Sequence, residues 1–186
     1  AIAEAARDRG AKVTLICART SAPIPEGVEV ITVASALNML AAVQERMAAN
    51  DIIVKAAAVA DYRPEHIEDQ KIKKKTDEMT ITLVKNPDIL QWIGDHRTTQ
   101  FVIGFAAETD RLAEHAMNKL TRKKCDLLVA NDVTLDGAGF GTATNIVHLF
   151  DQQGEVAAWP MLSKKEIGQR LMDIAMERLN KRIGEQ

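Results

Sequence analysis

Short, continuously apolar runs alternate with amphipathic stretches of helical period along nearly the whole chain, and this alternation most restricts the fold. The runs at Lys12 to Cys17, Val28 to Val33, Asp51 to Ala57, Gln100 to Ala106 and Cys125 to Ala130 are too brief for helices and read as strands. Between them, Ser35 caps a helix that turns Leu37, Leu40, Val43 and Met47 inward and closes at Asn50. A second helix opens at Asn86-Pro87, and a third runs from about Glu108 to Lys123. Strand–helix alternation of this kind predicts a mainly parallel sheet covered by helices on both faces, a doubly wound α/β fold. A hairpin, Thr144 to Phe150 with Glu155 to Trp159, follows. The chain closes on a helix with the capping box Ser163-Lys164-Lys165-Glu166 and a stripe of Ile167, Leu171, Ile174 and Ala175, with a polar tail after Arg178.

One stretch breaks the pattern. From Arg63 to Glu78 the chain is polar and dense in charge, after which Met79, Ile81 and Leu83 alternate with Thr80 and Thr82 as a half-buried strand. This predicts an arm projecting from the sheet. A two-stranded ribbon is thinly supported alone, so a second copy covering its apolar face, a homodimer, is expected.

At 186 residues, 46% apolar and 27% charged, the chain has the makings of one globular domain and not of a disordered or fibrous one. No apolar run approaches the roughly 20 residues of a membrane span, and a net charge of −2 leaves no excess of cations for nucleic acid or an anionic membrane. A soluble, cytoplasmic protein is expected, meeting any phosphate locally. Cys17 and Cys125, far apart and each in an apolar run, read as buried thiols. The first residues, Ala1 to Gly10, form a helical pattern closed by glycine with no cap ahead of it. The expectation is that a strand and loop opening a βαβ unit precede them, where glycine-rich phosphate loops sit in such folds.

Several residues could carry chemistry. Lys71-Ile72-Lys73-Lys74-Lys75 is either a solvated charged face or a flap whose ammonium groups close over a polyphosphate. Asp61 follows Ala56 to Ala60 at the carboxyl end of a buried strand, the edge where open α/β sheets bind ligands; it suits Mg²⁺ or a ribose, and equally a turn. Asn86-Pro87-Asp88 offers helix N–H groups to an anion or is a plain cap. Phe105 is a core ring or a surface for a base. Asn131-Asp132 ends the next strand at the same edge. Lys119 and Lys123, one turn apart near the end of their helix, also relieve its dipole. The four histidines share no metal-ligand spacing.

Taken in order, Ala57-Ala58-Val59-Ala60-Asp61-Tyr62-Arg63-Pro64, Lys71-Ile72-Lys73-Lys74, Val84-Lys85-Asn86-Pro87-Asp88-Ile89-Leu90, Gly104-Phe105-Ala106-Ala107-Glu108-Thr109 and Ala130-Asn131-Asp132 form a series. With Gly139-Phe140 and Asn145 through Phe150, it resembles the phosphopantothenoylcysteine synthetase family, the phosphopantothenate–cysteine ligase domain of bifunctional bacterial coenzyme A biosynthesis proteins. The resemblance implies a Rossmann-like, dimeric domain that joins 4′-phosphopantothenate to L-cysteine. It implies CTP as co-substrate with Mg²⁺, and an acyl-cytidylate intermediate. FMN is implied only for a fused decarboxylase domain outside these residues.

By the same resemblance, Lys71, with Lys73 and Lys74, matches the family's catalytic flap, and Ala57, Ala58 and Asp61 match its nucleotide and phosphopantothenate contacts, Asp61 also as metal ligand. Lys55 and Ala56 lead into that segment. Pro87, Asp88, Ile89, Leu90, Phe105, Lys119, Lys123 and Asn131 match nucleotide-binding positions. A straight helix would put Lys119 and Lys123 on the order of 20 Å from its start, away from the ligand edge. Lys55 stands where the family has a small residue. The family's Ser-Gly-rich loop, with an asparagine that processes the acyl-cytidylate, would fall before Ala1, so little activity is expected of these residues alone. The alternatives are a nicotinamide- or flavin-binding oxidoreductase, whose Gly-x-Gly-x-x-Gly turn is not in the sequence, or a non-catalytic nucleotide-binding or dimerisation module.

Overall fold

The computed structural model describes residues 1–68, 70–73, 77–108, 111–132 and 141–184. Its centre is a mixed five-stranded sheet built from β3 (Ile52–Lys55), β6 (Phe101–Glu108), β7 (Leu127–Asp132), β8 (Thr144–Asp151) and β9 (Gly154–Ser163), in the order β3-β6-β7-β8-β9. The first three pair parallel, β8 pairs antiparallel with β7, and β9 pairs antiparallel with β8. β1 (Thr14–Cys17) and β2 (Glu29–Thr32) form a separate parallel pair, and β4 (Tyr62–Pro64) and β5 (Leu83–Lys85) a short antiparallel ribbon. The α/β expectation therefore holds, while the single mainly parallel sheet is corrected to a mixed sheet with two satellites. The hairpin accounts for the mixture, since a two-residue turn can only reverse the chain.

The alternation of side chains along a strand divides the core into two layers. Val102 and Ala106 of β6 and Leu128 and Ala130 of β7 pack with α2 (Ala36–Arg46), α3 (Ile89–His96) and α4 (Leu112–Lys123). Phe101 and Ile103 of β6 and Leu127 and Val129 of β7 pack against α1 (Ile2–Asp8) and α5 (Lys164–Gly184) on the other face. Arg9, just past α1, holds α5 through Asp173 at 2.6 Å and the Gln169 carbonyl at 3.0 Å. Asp126 ties the C-terminal end in a similar way, accepting from Arg97, from Arg182 at 2.6 Å and from the Val102 N–H at 2.7 Å. α5 thus continues beyond the expected polar boundary at Arg178, because Arg182 has a docking point.

Other boundaries shift for local reasons. In α2 the buried residues are Met39 and Ala42, with Leu40 and Val43 half-buried and Met47 buried just past its end, while Leu37 in the first turn is exposed. β6 extends to Glu108 because Ala107 and Glu108 keep pairing with β7, so α4 begins at Leu112 instead of Glu108. The arm's second strand begins at Leu83, and Met79 and Ile81 before it are 63% and 56% exposed instead of half-buried, with nothing among the described residues covering them. β9 is an edge strand whose register shifts between Trp159 and Leu162, around the exposed Pro160. Cys125 is buried, but Cys17 is only half-buried, against expectation. Among the described residues, no helix is long and apolar enough to cross a membrane.

Candidate functional site

The carboxyl ends of β1, β3 and β6 open into a cavity of about 810 Å³. Small residues form one wall: after Lys55 the chain leaves β3 through Ala56, Ala57, Ala58, Val59 and Ala60, which bring backbone to the surface, and reaches Asp61. Opposite stands the start of α3. Its N-cap is Asp88, whose carboxylate accepts from the Gln91 N–H at 3.0 Å, so Asn86 is not the cap and Pro87 precedes the helix. Ile89 and Leu90 bury their side chains in the core, at 2% and 3% exposure, and offer the cavity the first turn of α3, whose N–H groups lack intrahelical acceptors.

Lys119 and Lys123 also line this cavity, contrary to the distance argument from a straight helix. Gly94 provides the reason. A Cβ there would lie 2.0 Å from the Lys123 carbonyl oxygen, so its absence lets the end of α4 press onto α3. The buried Lys123 side chain reaches back to pair with Asp88. Arg122 joins the same wall, and its carbonyl accepts from Gln91 at 3.0 Å.

The far side is supplied by the other layer of the sheet. Phe105 is half-buried among the residues packed on α1 and α5, Asn131 is buried at the end of β7, and Asn145 and Lys164 complete the lining. Every expected nucleotide-contact residue, from Lys55 through Asn131, therefore meets in one cavity. Lys71 and Lys73 do not line it and are exposed on the arm. Lys74 lies outside the described residues, as does Gly139-Phe140. Lys85, Asn86, Arg122, Asn145 and Lys164 were not anticipated as lining residues; the spacing of Arg122, three residues from Lys119 on one helix face, was the available signal.

Among the described residues, six basic side chains (Lys55, Lys85, Lys119, Arg122, Lys123 and Lys164) stand against two acidic ones (Asp61 and Asp88) around this cavity. In a chain of net charge −2, that is a strong local reversal. Burial lowers the pKa of Lys55, and the charges of Lys119 and Lys123 lower it further, against the opposing pull of Asp88 and Asp61. Its Nζ donates to the Ala57 carbonyl at 2.6 Å. For Asp88 burial acts upward, but the hydrogen bonds from Lys123 and Gln91 and the charges of Lys123 and Lys55 outweigh it together and hold the carboxyl below its ordinary value. Such a site favours a polyanion. Among the described residues no three His, Cys, Asp or Glu side chains converge as a metal cage.

The family described as the DNA/pantothenate metabolism flavoprotein C-terminal domain matches residues 1–179. The chain belongs to that family. Among its relatives, the coenzyme A biosynthesis bifunctional protein CoaBC of Bacillus subtilis (strain 168) is 43% identical over 187 residues, covering 100% of this chain and 46% of the relative. CoaBC of Escherichia coli (strain K12) is 43% identical over 188 residues, covering 98% and 46%. The chain thus spans about half the length of the curated relatives it matches. A crystal structure of the C-terminal domain of CoaBC superposes with a TM-score of 0.80 at 37% identity, covering 97% of this chain and 82% of that one. A Cab2 mutant in complex with phosphopantothenate-cysteine shares the fold, with a TM-score of 0.65 at 18% identity over 86% of this chain and 55% of its own. The DNA/pantothenate metabolism flavoprotein fold accordingly covers the full cavity, from the β3 wall to α5.

Proposed function

We propose that this domain joins 4′-phosphopantothenate to L-cysteine with CTP in coenzyme A biosynthesis, as part of a protein that also carries a flavin-dependent decarboxylase. The single observation that carries the reading is the basic cavity at the sheet's carboxyl edge. Its cations suit a triphosphate, its exposed alanine wall admits a ligand close to the backbone, and the likeness to coenzyme A biosynthesis bifunctional proteins supports the reaction. In the first step a carboxylate oxygen of phosphopantothenate bonds to the α-phosphorus of CTP as the bond to the β-phosphate breaks, releasing pyrophosphate. The amine of cysteine then attacks the acyl carbon, loses a proton, and CMP leaves. Activation is needed because a free carboxylate is a poor acyl donor.

In this reading Lys55, Lys119 and Lys123, with Arg122, hold the phosphates. Phe105 and Asn131 face the base or the pantothenate arm from the opposite layer. Lys71 and Lys73 on the arm, together with Lys74, come over the departing pyrophosphate and offset its charge. Asp61, at the cavity rim, suits Mg²⁺, which is commonly held by one or two carboxylates together with substrate phosphates. Bound with the nucleotide, Mg²⁺ would supply charge neutralisation.

Two further parts belong to the proposal. A second copy covers the exposed apolar residues of the arm, Tyr62, Ile72, Met79, Ile81 and Leu83, making a homodimer. A strand and Ser-Gly-rich loop from preceding sequence enter between β1 and β3. In support, β1 pairs only with β2 and β3 only with β6 among the described residues, and a cavity of about 1050 Å³ lies between them. On this view, residues 1–186 without that segment turn over poorly.

The test is pyrophosphate release by the full-length protein with CTP, Mg²⁺ and 4′-phosphopantothenate, without cysteine, wild type beside Lys71→Ala. A fall of at least about tenfold, or about 1.4 kcal/mol of barrier, is expected. Absence of release from the wild type would overturn the proposed first step. A monomeric mass in light scattering at micromolar concentration would overturn the dimer.

A further inference from the structure

Asn86 makes contacts that a helix cap does not require. Its backbone N–H donates to the Asp61 carbonyl at 2.7 Å, its Nδ2 donates to the Ala60 carbonyl at 2.9 Å, and its Oδ1 accepts from the Arg63 guanidinium at 3.2 Å. The same Arg63 nitrogen donates to the Lys85 carbonyl at 2.8 Å. These bonds lie at the root of the β4–β5 ribbon, where Arg63 stands opposite Val84 and Tyr62 opposite Lys85. On one side of the root the chain becomes the alanine wall of the cavity; on the other it becomes the arm that carries Lys71. Two residues beyond Asn86, Asp88 caps α3 and pairs with Lys123. One side-chain amide therefore ties together three pieces that separate loops would otherwise leave independent.

Few other contacts hold this junction. Among the described residues the ribbon has three paired residues per strand, lengthened by one bond from the Glu65 N–H to the Thr82 carbonyl, and Val59 packs the wall against the core, but Ala60 and Asp61 beyond it are exposed, so neither a long ladder nor core packing fixes those two residues relative to the arm. Side-chain hydrogen bonds to backbone carbonyls are directional and set orientation where packing does not.

We infer that Asn86, locked to Arg63 at the root of the arm, is a positioning residue that holds the cavity wall at Ala60 and Asp61 and the lysine-bearing arm in one geometry. The inference rests on the ligase reading for its kinetic consequence and on structure alone for its mechanical one. Asn86 acts through the groups it aligns: loosening it lets the wall and the arm move separately, so Lys71 no longer meets a ligand held against the wall.

The experiment uses the full-length protein as wild type, Asn86→Ala, Asn86→Asp, Lys71→Ala and the double variant Asn86→Ala/Lys71→Ala. Without ligand, hydrogen exchange of the amides of residues 65 and 86, which bond across the root to the Thr82 and Asp61 carbonyls, should rise at least about tenfold in Asn86→Ala, while those of α3 and β6 stay at wild-type rates. Asn86→Asp keeps an acceptor for Arg63 and loses the donor to Ala60, so its exchange should fall between the two. In pyrophosphate release, Lys71→Ala should cost at least about threefold less in the Asn86→Ala background than in wild type, a coupling that a general loss of stability would not produce. Unchanged exchange at residues 65 and 86, exchange rising equally across α3 and β6, or independent, multiplying rate losses would each overturn the inference. Should the wild type release no pyrophosphate, the ligase reading fails, and the exchange pattern alone decides the clamp.

Discussion

Replacing Gly94 with alanine sets two effects of opposite sign against each other. Alanine is favoured over glycine inside a helix by about 1 kcal/mol, and α3 would gain that if the site were open. It is not open. The new Cβ would stand 2.0 Å from the Lys123 carbonyl oxygen and 2.9 Å from its carbonyl carbon, so reaching ordinary contact at 3.4 Å requires α4 to retreat by about 1.4 Å. Both obstructing atoms are backbone and cannot rotate away, and overpacking of this kind costs about 1–3 kcal/mol. The retreat also draws Lys123, which is 6% exposed, from Asp88. Separating a fully buried pair costs about 3–5 kcal/mol; with the Asp88 side chain 47% exposed, about 1–2 kcal/mol is the appropriate share. The net expectation is a destabilisation of about 2–3 kcal/mol, or a fall in Tm of about 5–10 °C for a domain of this size. Thermal unfolding followed by circular dichroism measures it, with Gly184→Ala as control, because a Cβ there meets nothing within 4 Å and only the helical preference acts. A Gly94→Ala protein melting at or above the wild-type temperature would refute the close α3–α4 approach as the device that brings Lys123 to the cavity.

Three further outcomes follow from the charges and thiols of the site. Lys55→Met should raise stability at neutral pH by about 0.5–1 kcal/mol by removing a partly desolvated charge, and weaken CTP binding severalfold in calorimetric titration; the stability gain should shrink as pH rises through the lowered pKa of Lys55, where the wild-type lysine sheds its charge. Because the folded pKa of Asp88 lies below its ordinary value of 3.8, its contribution is complete above that pH and lost as pH falls through the folded value, so the stability difference between wild type and Asp88→Asn should narrow below about pH 3.8 in urea titrations. At pH 8 a thiol reagent should modify Cys17 and spare Cys125, whose thiol burial pushes up to about 11, and CTP should slow the reaction at Cys17 because that residue lines the cavity; equal labelling of both would contradict the burial difference.

The strands were legible because each is a short apolar run between turn residues, and the two faces of β6 follow from simple alternation at Val102 and Ile103. What the sequence could not express was distance across helices. Lys119 and Lys123 read as remote because helix length is local information, whereas their position depends on a glycine in a different helix, Gly94. Asn86 was visible as a cap residue, and the choice between it and Asp88 turned on tertiary partners, Ala60 and Arg63, that lie more than twenty residues earlier. The basic character of the cavity was only partly visible: Lys119, Arg122 and Lys123 share α4, but Lys55, Lys85 and Lys164 reach it from three other segments. The arm's apolar residues alternate as a buried strand would, but burial needs a covering surface, and the described residues do not supply one.

The proline in β9 has a consequence beyond its own turn of chain. A ten-residue strand with a free flank is a template on which another strand could grow, and repeated growth of that kind leads to insoluble fibres. Pro160 withholds one amide, and the register shift beside it bends the flank, so an incoming strand finds its ladder interrupted midway. A crowded solution of these molecules is thereby denied an uninterrupted seam along this border of the sheet.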